Sequence, residues 1–227
     1  MVKPDLTLYF VTDSTGRTEK EFLEVVSGAC AGGVTLVQLR EKEKSGREYL
    51  GLAEKVKRIT DQYEIPLIID DRVDIALAAG AAGVHLGQMD LPVQAARKML
   101  GPDKIIGATA KTVAQAERAK EEGADYLGVG AIYPTTTKVV TVITEVSMLN
   151  EIAARTNMPA AAIGGLNASN MHVLYDSLAE GLAVVSALMK SEDPAGTARA
   201  LKRQVLDNFR TKKKSSLHGI RRQADRG

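Results

Sequence analysis

The sequence predicts an α/β protein built as one closed ring of eight parallel strands with helices outside it. Three observations carry that prediction. Eight short apolar runs alternate with stretches of helical periodicity along the whole chain. A Gly/Ala pair leads into an apolar strand again and again, as AGGVTLVQ, AAGVHLG, EGADYLGVG and AEGLAVVS, which marks a recurring helix-to-strand unit. The apolar runs end on charged, hydroxyl or glycine residues, where strands of such a ring carry their chemistry. Together these describe a single (β/α)8, or TIM, barrel over residues 1–209, followed by a basic segment at 210–227 read as a solvated, disordered tail. A doubly wound sheet with fewer strands would require some of the apolar runs to be something else.

Leu6 to Thr12, LTLYFVT, is aromatic and β-branched and forms the first strand, ending at Asp13. Phe22, Val25, Val26 and Ala29 then fall at helical spacing, Gly32-Gly33 stop the helix, and Thr35 to Leu39 is strand two, leaving through Arg40-Glu41-Lys42. Ser45 and Glu48 stand at capping-box spacing before a helix whose inner stripe is Tyr49, Leu52, Ala53 and Val56. Pro66 to Ile69 is strand three and stops on Asp70-Asp71, a helix with Val73, Ala76, Leu77 and Gly80 on one face follows, and Gly83 to Leu86 is strand four, running out to Asp90. Leu91-Pro92 opens the next helix. Lys104 to Thr109 is strand five, Thr112 and Gln115 again have capping-box spacing, and Asp125 to Gly130 is strand six. A long exit loop from Ala131 to Thr144 precedes a helix with Met148, Leu149, Ile152 and Ala153 inward. Pro159 to Ile163, ending on Gly164-Gly165, and Leu182 to Val185, ending on Ser186, complete the eight strands.

The composition fits a soluble enzyme-sized domain. Of 227 residues, 44% are hydrophobic and 26% charged, and no apolar run approaches the ~18 residues that a membrane span needs. No secretory pattern opens the chain, and the one cysteine, Cys30, sits late in the first helix as a small buried residue, so a reducing cytoplasmic setting is expected. The formal charge of +2 is uneven, because Lys212, Lys213, Lys214, Arg221, Arg222 and Arg226 crowd the tail. That tail lacks aromatic residues for base stacking, which argues against nucleic acid as a partner. Assembly stays open, a homo-oligomer included.

The strand exits carry groups suited to phosphate and to a hard cation. Gln38, Arg40 and Lys42 leave strand two with a planar fork and a mobile point charge for phosphate oxygens. A solvated charged loop would explain the same trio. Asp71 and Asp90 leave neighbouring parallel strands ~4.8 Å apart and can share one Mg2+ with water and substrate phosphate, while Asp70 fits equally as the cap of the following helix. Thr109 leaves strand five. Pro134-Thr135-Thr136-Thr137-Lys138 offers three hydroxyls and an ammonium, or a polar turn. Gly164-Gly165 and Val185-Ser186 stand where barrels build a phosphate site from backbone amides. The set describes two anionic subsites separated by a metal. His85, inside a strand, reads as a hydrogen-bonded packing residue without a catalytic role, and Gln88 likewise.

YFVTD at 9–13, VQLREK at 37–42, IIDDRVD at 68–74, GVHLGQMD at 83–90, GAIYPTTTK at 130–138 and AIGGL at 162–166 resemble, in that order and spacing, the thiamine phosphate synthase family. The resemblance runs from about Leu6 to Val205. It implies a transferase that joins 4-amino-2-methyl-5-hydroxymethylpyrimidine pyrophosphate to 4-methyl-5-(2-hydroxyethyl)thiazole phosphate, through departure of pyrophosphate and a pyrimidine-stabilised carbocation. It also implies that Gln38, Leu39, Arg40, Glu41, Lys42, Asp70, Thr109 and Lys138 hold the pyrimidine pyrophosphate, with Arg40, Lys42 and Lys138 catalytic. Asp71 and Asp90 would ligate one Mg2+ per active site; Thr135, Thr136, Thr137, Gly165, Val185 and Ser186 would hold the thiazole phosphate. The chain departs from the family pattern at Asp70, where Asn is usual, and at Thr109, where Ser is usual. A thiazole tautomerase relative is the nearest rival, for which Arg40, Lys42, Asp71, Asp90 and Lys138 would be superfluous. A non-catalytic phosphate-ligand sensor with a nucleic-acid-binding tail is the rival of another class.

Overall fold

Eight parallel strands pair in chain order, β1 to β8, and β8 closes back onto β1. The structure, a computed structural model, describes residues 3–134 and 142–224, the stretch 210–224 by its backbone. The strands are β1 Leu8–Val11, β2 Leu36–Leu39, β3 Leu67–Asp70, β4 Gly83–Leu86, β5 Ile105–Ala110, β6 Tyr126–Gly130, β7 Ala160–Ile163 and β8 Gly181–Val184. The helices are α1 Glu19–Ala31, α2 Gly46–Gln62, α3 Val73–Ala78, α4 Val93–Leu100, α5 Val113–Glu121, α6 Val146–Thr156, α7 Ser186–Met189 and α8 Pro194–Ala224. No helix among the described residues is long and apolar enough to cross a membrane.

Strand alternation divides the core in two. Leu8, Phe10, Val37, Leu39, Ile69 and Val84 point outward and pack with Phe22, Val26, Tyr49 and Val56 of the helices, each such burial stabilising by about 1.5–3 kcal/mol. Tyr9, Val11, Leu36, Ile68, Ile105, Tyr126, Ala161 and Ala183 point inward and fill the ring. The Gly/Ala refrain has a steric origin, since a Cβ on Gly83 would lie 1.8 Å from the Ile105 carbonyl oxygen and one on Gly181 1.6 Å from that of Leu6.

Helix starts follow their local chemistry. Ser45 and Glu48 form the expected capping box, and Thr18 and Glu21 form a second. Thr112 caps α5, but Gln115 turns its amide oxygen to the Lys111 N–H instead of to Thr112. Pro92 is the N-cap of α4, one position outside it.

Two expectations need correction. In α3 the buried residues are Val73, Ile75 and Ala76, whereas Leu77 is 44% exposed and Gly80 lies beyond the helix end, because six residues are too few for a stripe to extend two turns. The β7–β8 crossover holds a 3₁₀ turn, Met171–Leu174, and no α-helix. There Asn170 accepts from the Asn167 N–H and Asn167 from that of Ser169, local bonds that compete with helix formation. The last helix, α8, buries Ala198, Leu201 and Val205 among the residues whose side chains are described.

Candidate active site

The carboxyl ends of the strands open into one cavity, and inward alternation decides which side chains reach it. Gln38, Arg40, Lys42, Asp70, Asp71, His85, Asp90 and Thr109 line one side, with Gly164, Gly165, Val185 and Ser186 opposite. Leu39 and Glu41 alternate outward: Leu39 is fully buried under α2, and Glu41 turns away to accept a hydrogen bond from Ser14. Thr135, Thr136, Thr137 and Lys138 lie outside the described residues.

The exit of β2 is fixed from below, because the buried Thr12 hydroxyl accepts the Arg40 N–H at 3.2 Å. Arg40 and Lys42 then meet the acids that end β3. The Lys42 ammonium lies 2.9 Å from Asp70 Oδ2 and is paired with Asp71 as well, while Arg40 Nε stands 3.8 Å from the same Asp70 oxygen. Asp70 therefore does not cap α3, whose N-cap is Arg72 without a side-chain cap bond. Burial pushes the Asp70 carboxyl up to about 6, the adjacent Asp71 adding to the rise and Lys42 and Arg40 opposing it. On Lys42 burial and these two acids oppose each other: desolvation lowers it, but Asp70 and Asp71 together raise it above the usual lysine range.

Asp71 adopts a left-handed turn, φ 60°, with its N–H donated to the His85 carbonyl at 2.9 Å. Aspartate tolerates that conformation better than most residues, and the turn brings its carboxylate back over the mouth. Asp71 lies within hydrogen-bonding reach of Asp90. Burial raises the Asp90 carboxyl, the Asp71 carboxylate raises it further, and the Gly87 N–H, donated to Asp90 Oδ2 at 2.7 Å, lowers it. Two carboxylates that close, with an ammonium already on one of them, form a donor set with a demand for positive charge.

On the far wall Gly164 and Gly165 have φ of 104° and 65°. A Cβ on Gly165 would approach the Pro134 carbonyl oxygen and Tyr133 Cβ to 2.7 Å each, so glycine lets the β6 and β7 exits pack together and leaves backbone facing the cavity. Ser186 starts α7 and is exposed. Thr144 fastens the end of the long loop by its N–H to the Ala131 carbonyl and its hydroxyl to that of Gly130.

Lys111, just past β5, has no mark in the motifs; it lines the cavity and donates to the Val142 carbonyl at 3.3 Å. Tyr9, the first residue of the YFVTD motif, and Tyr126 enter the ring from β1 and β6, and their inward parity was the available signal. The sequence reading of His85 as a bonded packing residue agrees with its ring contacts to Tyr126 at 3.1 Å and Thr109 at 3.0 Å.

Residues 8–188 match the protein family described as thiamine monophosphate synthase. Thiamine-phosphate synthase of Lacticaseibacillus paracasei is 48% identical over 209 residues, which covers 91% of this chain and 98% of that protein. The enzyme of the same name from Enterococcus faecalis is 49% identical over 89% of this chain and 95% of its own length. Among solved structures, thiamine phosphate pyrophosphorylase from Pyrococcus furiosus superposes with a TM-score of 0.82 at 34% identity, covering 92% of this chain and 98% of that one. A 3-hexulose-6-phosphate synthase, at TM-score 0.69 and 17% identity over 87% of this chain and 99% of that one, shares the fold alone.

Proposed function

The chain belongs to the thiamine-phosphate synthase family and joins a pyrimidine pyrophosphate to a thiazole phosphate, and from that premise we propose how this mouth divides the work. One observation carries the proposal: Arg40, Lys42, Asp71 and Asp90 converge on one side of the cavity, opposite the glycine backbone of 164–165 and the start of α7. A thiazole tautomerase would have no use for that convergence.

The pyrimidine pyrophosphate occupies the β2–β5 side. Gln38 and Thr109 meet it from the floor, and Arg40 and Lys42 take its phosphate oxygens; Leu39 and Glu41 join them only by the resemblance of VQLREK to the family motif. Asp70 stays next to the anion because two cations offset it. The thiazole phosphate occupies the opposite side, against the backbone at Gly165, Val185 and Ser186. Thr135, Thr136, Thr137 and Lys138 join these subsites by the resemblance of PTTTK to the family motif.

The residues fit one Mg2+ at Asp71 and Asp90. Asp71 and Asp90 would hold the ion, with water and the pyrophosphate oxygens as its remaining ligands. Lys42 on Asp71 is a stand-in for that charge. When bound, the ion takes up charge on the departing pyrophosphate.

The C–O bond to pyrophosphate breaks with its electron pair leaving on oxygen, and the thiazole nitrogen lone pair captures the resulting pyrimidine carbocation. Arg40 and Lys42 stabilise the leaving group, each unit charge at ~4 Å contributing about 4 kcal/mol at an effective dielectric of 20. Opposite placement of the two substrates holds the nitrogen in line. A buried thiol at Cys30 suits a cytoplasmic setting.

Mixing both substrates with Mg2+ and following pyrophosphate and thiamine phosphate tests this reading. Stoichiometric release that stops on chelation is expected. Binding of the phosphates without turnover would favour the sensor reading and overturn it.

A further inference from the structure

Beneath the mouth, five side chains from five strands form one continuous hydrogen-bonded chain. Gln38 Nε2 donates to Tyr9 Oη at 2.5 Å, Tyr9 Oη lies 2.7 Å from Tyr126 Oη, Tyr126 Oη lies 3.1 Å from His85 Nδ1, and His85 Nε2 lies 3.0 Å from Thr109 Oγ1. Gln38, Tyr9, Tyr126 and His85 are all buried, and Thr109 faces the cavity. The space is made for them: a Cβ on Gly107 would come within 2.2 Å of the Tyr126 ring and 2.4 Å of His85 Nδ1.

The chain has a direction. An amide nitrogen only donates, so Tyr9 accepts from Gln38. Were Tyr9 to accept from Tyr126 as well, its own hydrogen would be buried without an acceptor among these partners, which costs about 1–3 kcal/mol. Tyr9 therefore donates to Tyr126, and Tyr126 donates to His85 Nδ1. Burial raises both phenols far above the working range, so each keeps its single hydrogen. The imidazole then carries its hydrogen on Nε2 and donates it to the Thr109 hydroxyl. Thr109 is left with its own hydrogen to direct into the cavity.

We infer that Tyr9, Tyr126 and His85 are positioning residues that set the direction of this chain, so that Thr109 meets the pyrimidine pyrophosphate as a hydrogen-bond donor. The inference rests on the proposed place of Thr109 in that subsite. It assigns a role to three buried groups that the bond-breaking step does not use. It also sets a preference: the Thr109 hydroxyl is free to donate into the cavity, so an acceptor atom of the substrate is recognised there.

Two measurements test it. Ring-nitrogen NMR of histidine-labelled, substrate-free protein reads the His85 tautomer directly, with only His172 and His218 to separate from it. Nε2–H is expected, and Nδ1–H in the native protein overturns the inference because the Gln38 amide must then stand reversed. Gln38→Glu supplies an acceptor where the donor was, so every bond reverses and His85 moves to Nδ1–H; an unchanged tautomer counts against the chain. Calorimetric binding of pyrimidine pyrophosphate with Mg2+, thiazole phosphate omitted, tests the consequence. Tyr126→Phe weakens affinity about tenfold in the native background and adds nothing in Thr109→Ala, since the effect passes through that hydroxyl. Additive losses overturn the positioning role. Full affinity in Thr109→Ala alone overturns the subsite reading, and the tautomer then decides the chain by itself.

Discussion

Asp70→Asn separates the charge at the heart of the mouth from its shape. Asp70 has 10% of its side chain exposed, and its folded carboxyl stands at about 6 against an ordinary 3.8. That displacement of roughly 2 units is worth about 3 kcal/mol at about 1.4 kcal/mol per unit. Its sign follows from the direction. A folded value raised above the unfolded one favours the protonated form, so the contribution to stability is fully present below pH 3.8 and is lost as pH rises through about 6. Asparagine keeps the neutral shape and still offers Lys42 an acceptor. In chelator-treated protein, Asp70→Asn should therefore match the native chain near pH 4 and exceed it by up to about 3 kcal/mol at pH 8. Urea unfolding at pH 4, 6 and 8 reads the difference from the midpoint at constant slope. A variant less stable than native at pH 8, or a difference that does not change with pH, would refute the reasoning that burial and Asp71 outweigh Lys42 and Arg40.

Other outcomes follow from the same contacts. Arg97→Ala removes donors to the carbonyls of Gly101, Lys104 and Gly123 and takes the cation from Asp125, whose side chain is 4% exposed and keeps only the Ile106 N–H at 2.7 Å, so it should lower unfolding free energy by about 3–5 kcal/mol, read by urea unfolding. Gly165→Ala meets a left-handed backbone and a 2.7 Å approach to Pro134, and should raise KM for the thiazole phosphate more than that for the pyrimidine pyrophosphate in steady-state assays, at a stability cost of about 1–3 kcal/mol. Truncation after Phe209 keeps Ala198, Leu201 and Val205, the buried face of α8 among the described side chains, and should leave pyrophosphate release within about twofold of native.

The ring was legible because its signals are local and periodic. Each strand is a short apolar run, and β2, β4, β6 and β8 are each entered through a Gly/Ala pair. The crossover from β7 was not, because Asn167 and Asn170 spend their side chains on nearby backbone, and apolar spacing does not register that competition. Strand parity was available and underused at 38–42. It sends Gln38 and Arg40 inward and Leu39 outward, and the motif taken as a block hides the difference. Asp70 shows the limit of local chemistry. An acid before a helix reads as a cap, and only the pairing of β2 with β3 brings Lys42 and Arg40 to it. Tyr9 and Tyr126 are 117 positions apart, and each alone is one aromatic residue in a strand. Their bond comes from closure of the ring.

The account turns on Asp71 and Asp90 serving one ion beside the pyrophosphate. Pyrophosphate release from the two substrates, measured against Mg2+ concentration for native protein, Asp71→Ala and Asp90→Ala alongside their unfolding midpoints, reads this most directly. Each variant should lose roughly 100-fold or more in kcat and need far more Mg2+, with stability changed by no more than about 1–2 kcal/mol. Near-normal turnover at ordinary Mg2+ in either variant would contradict it.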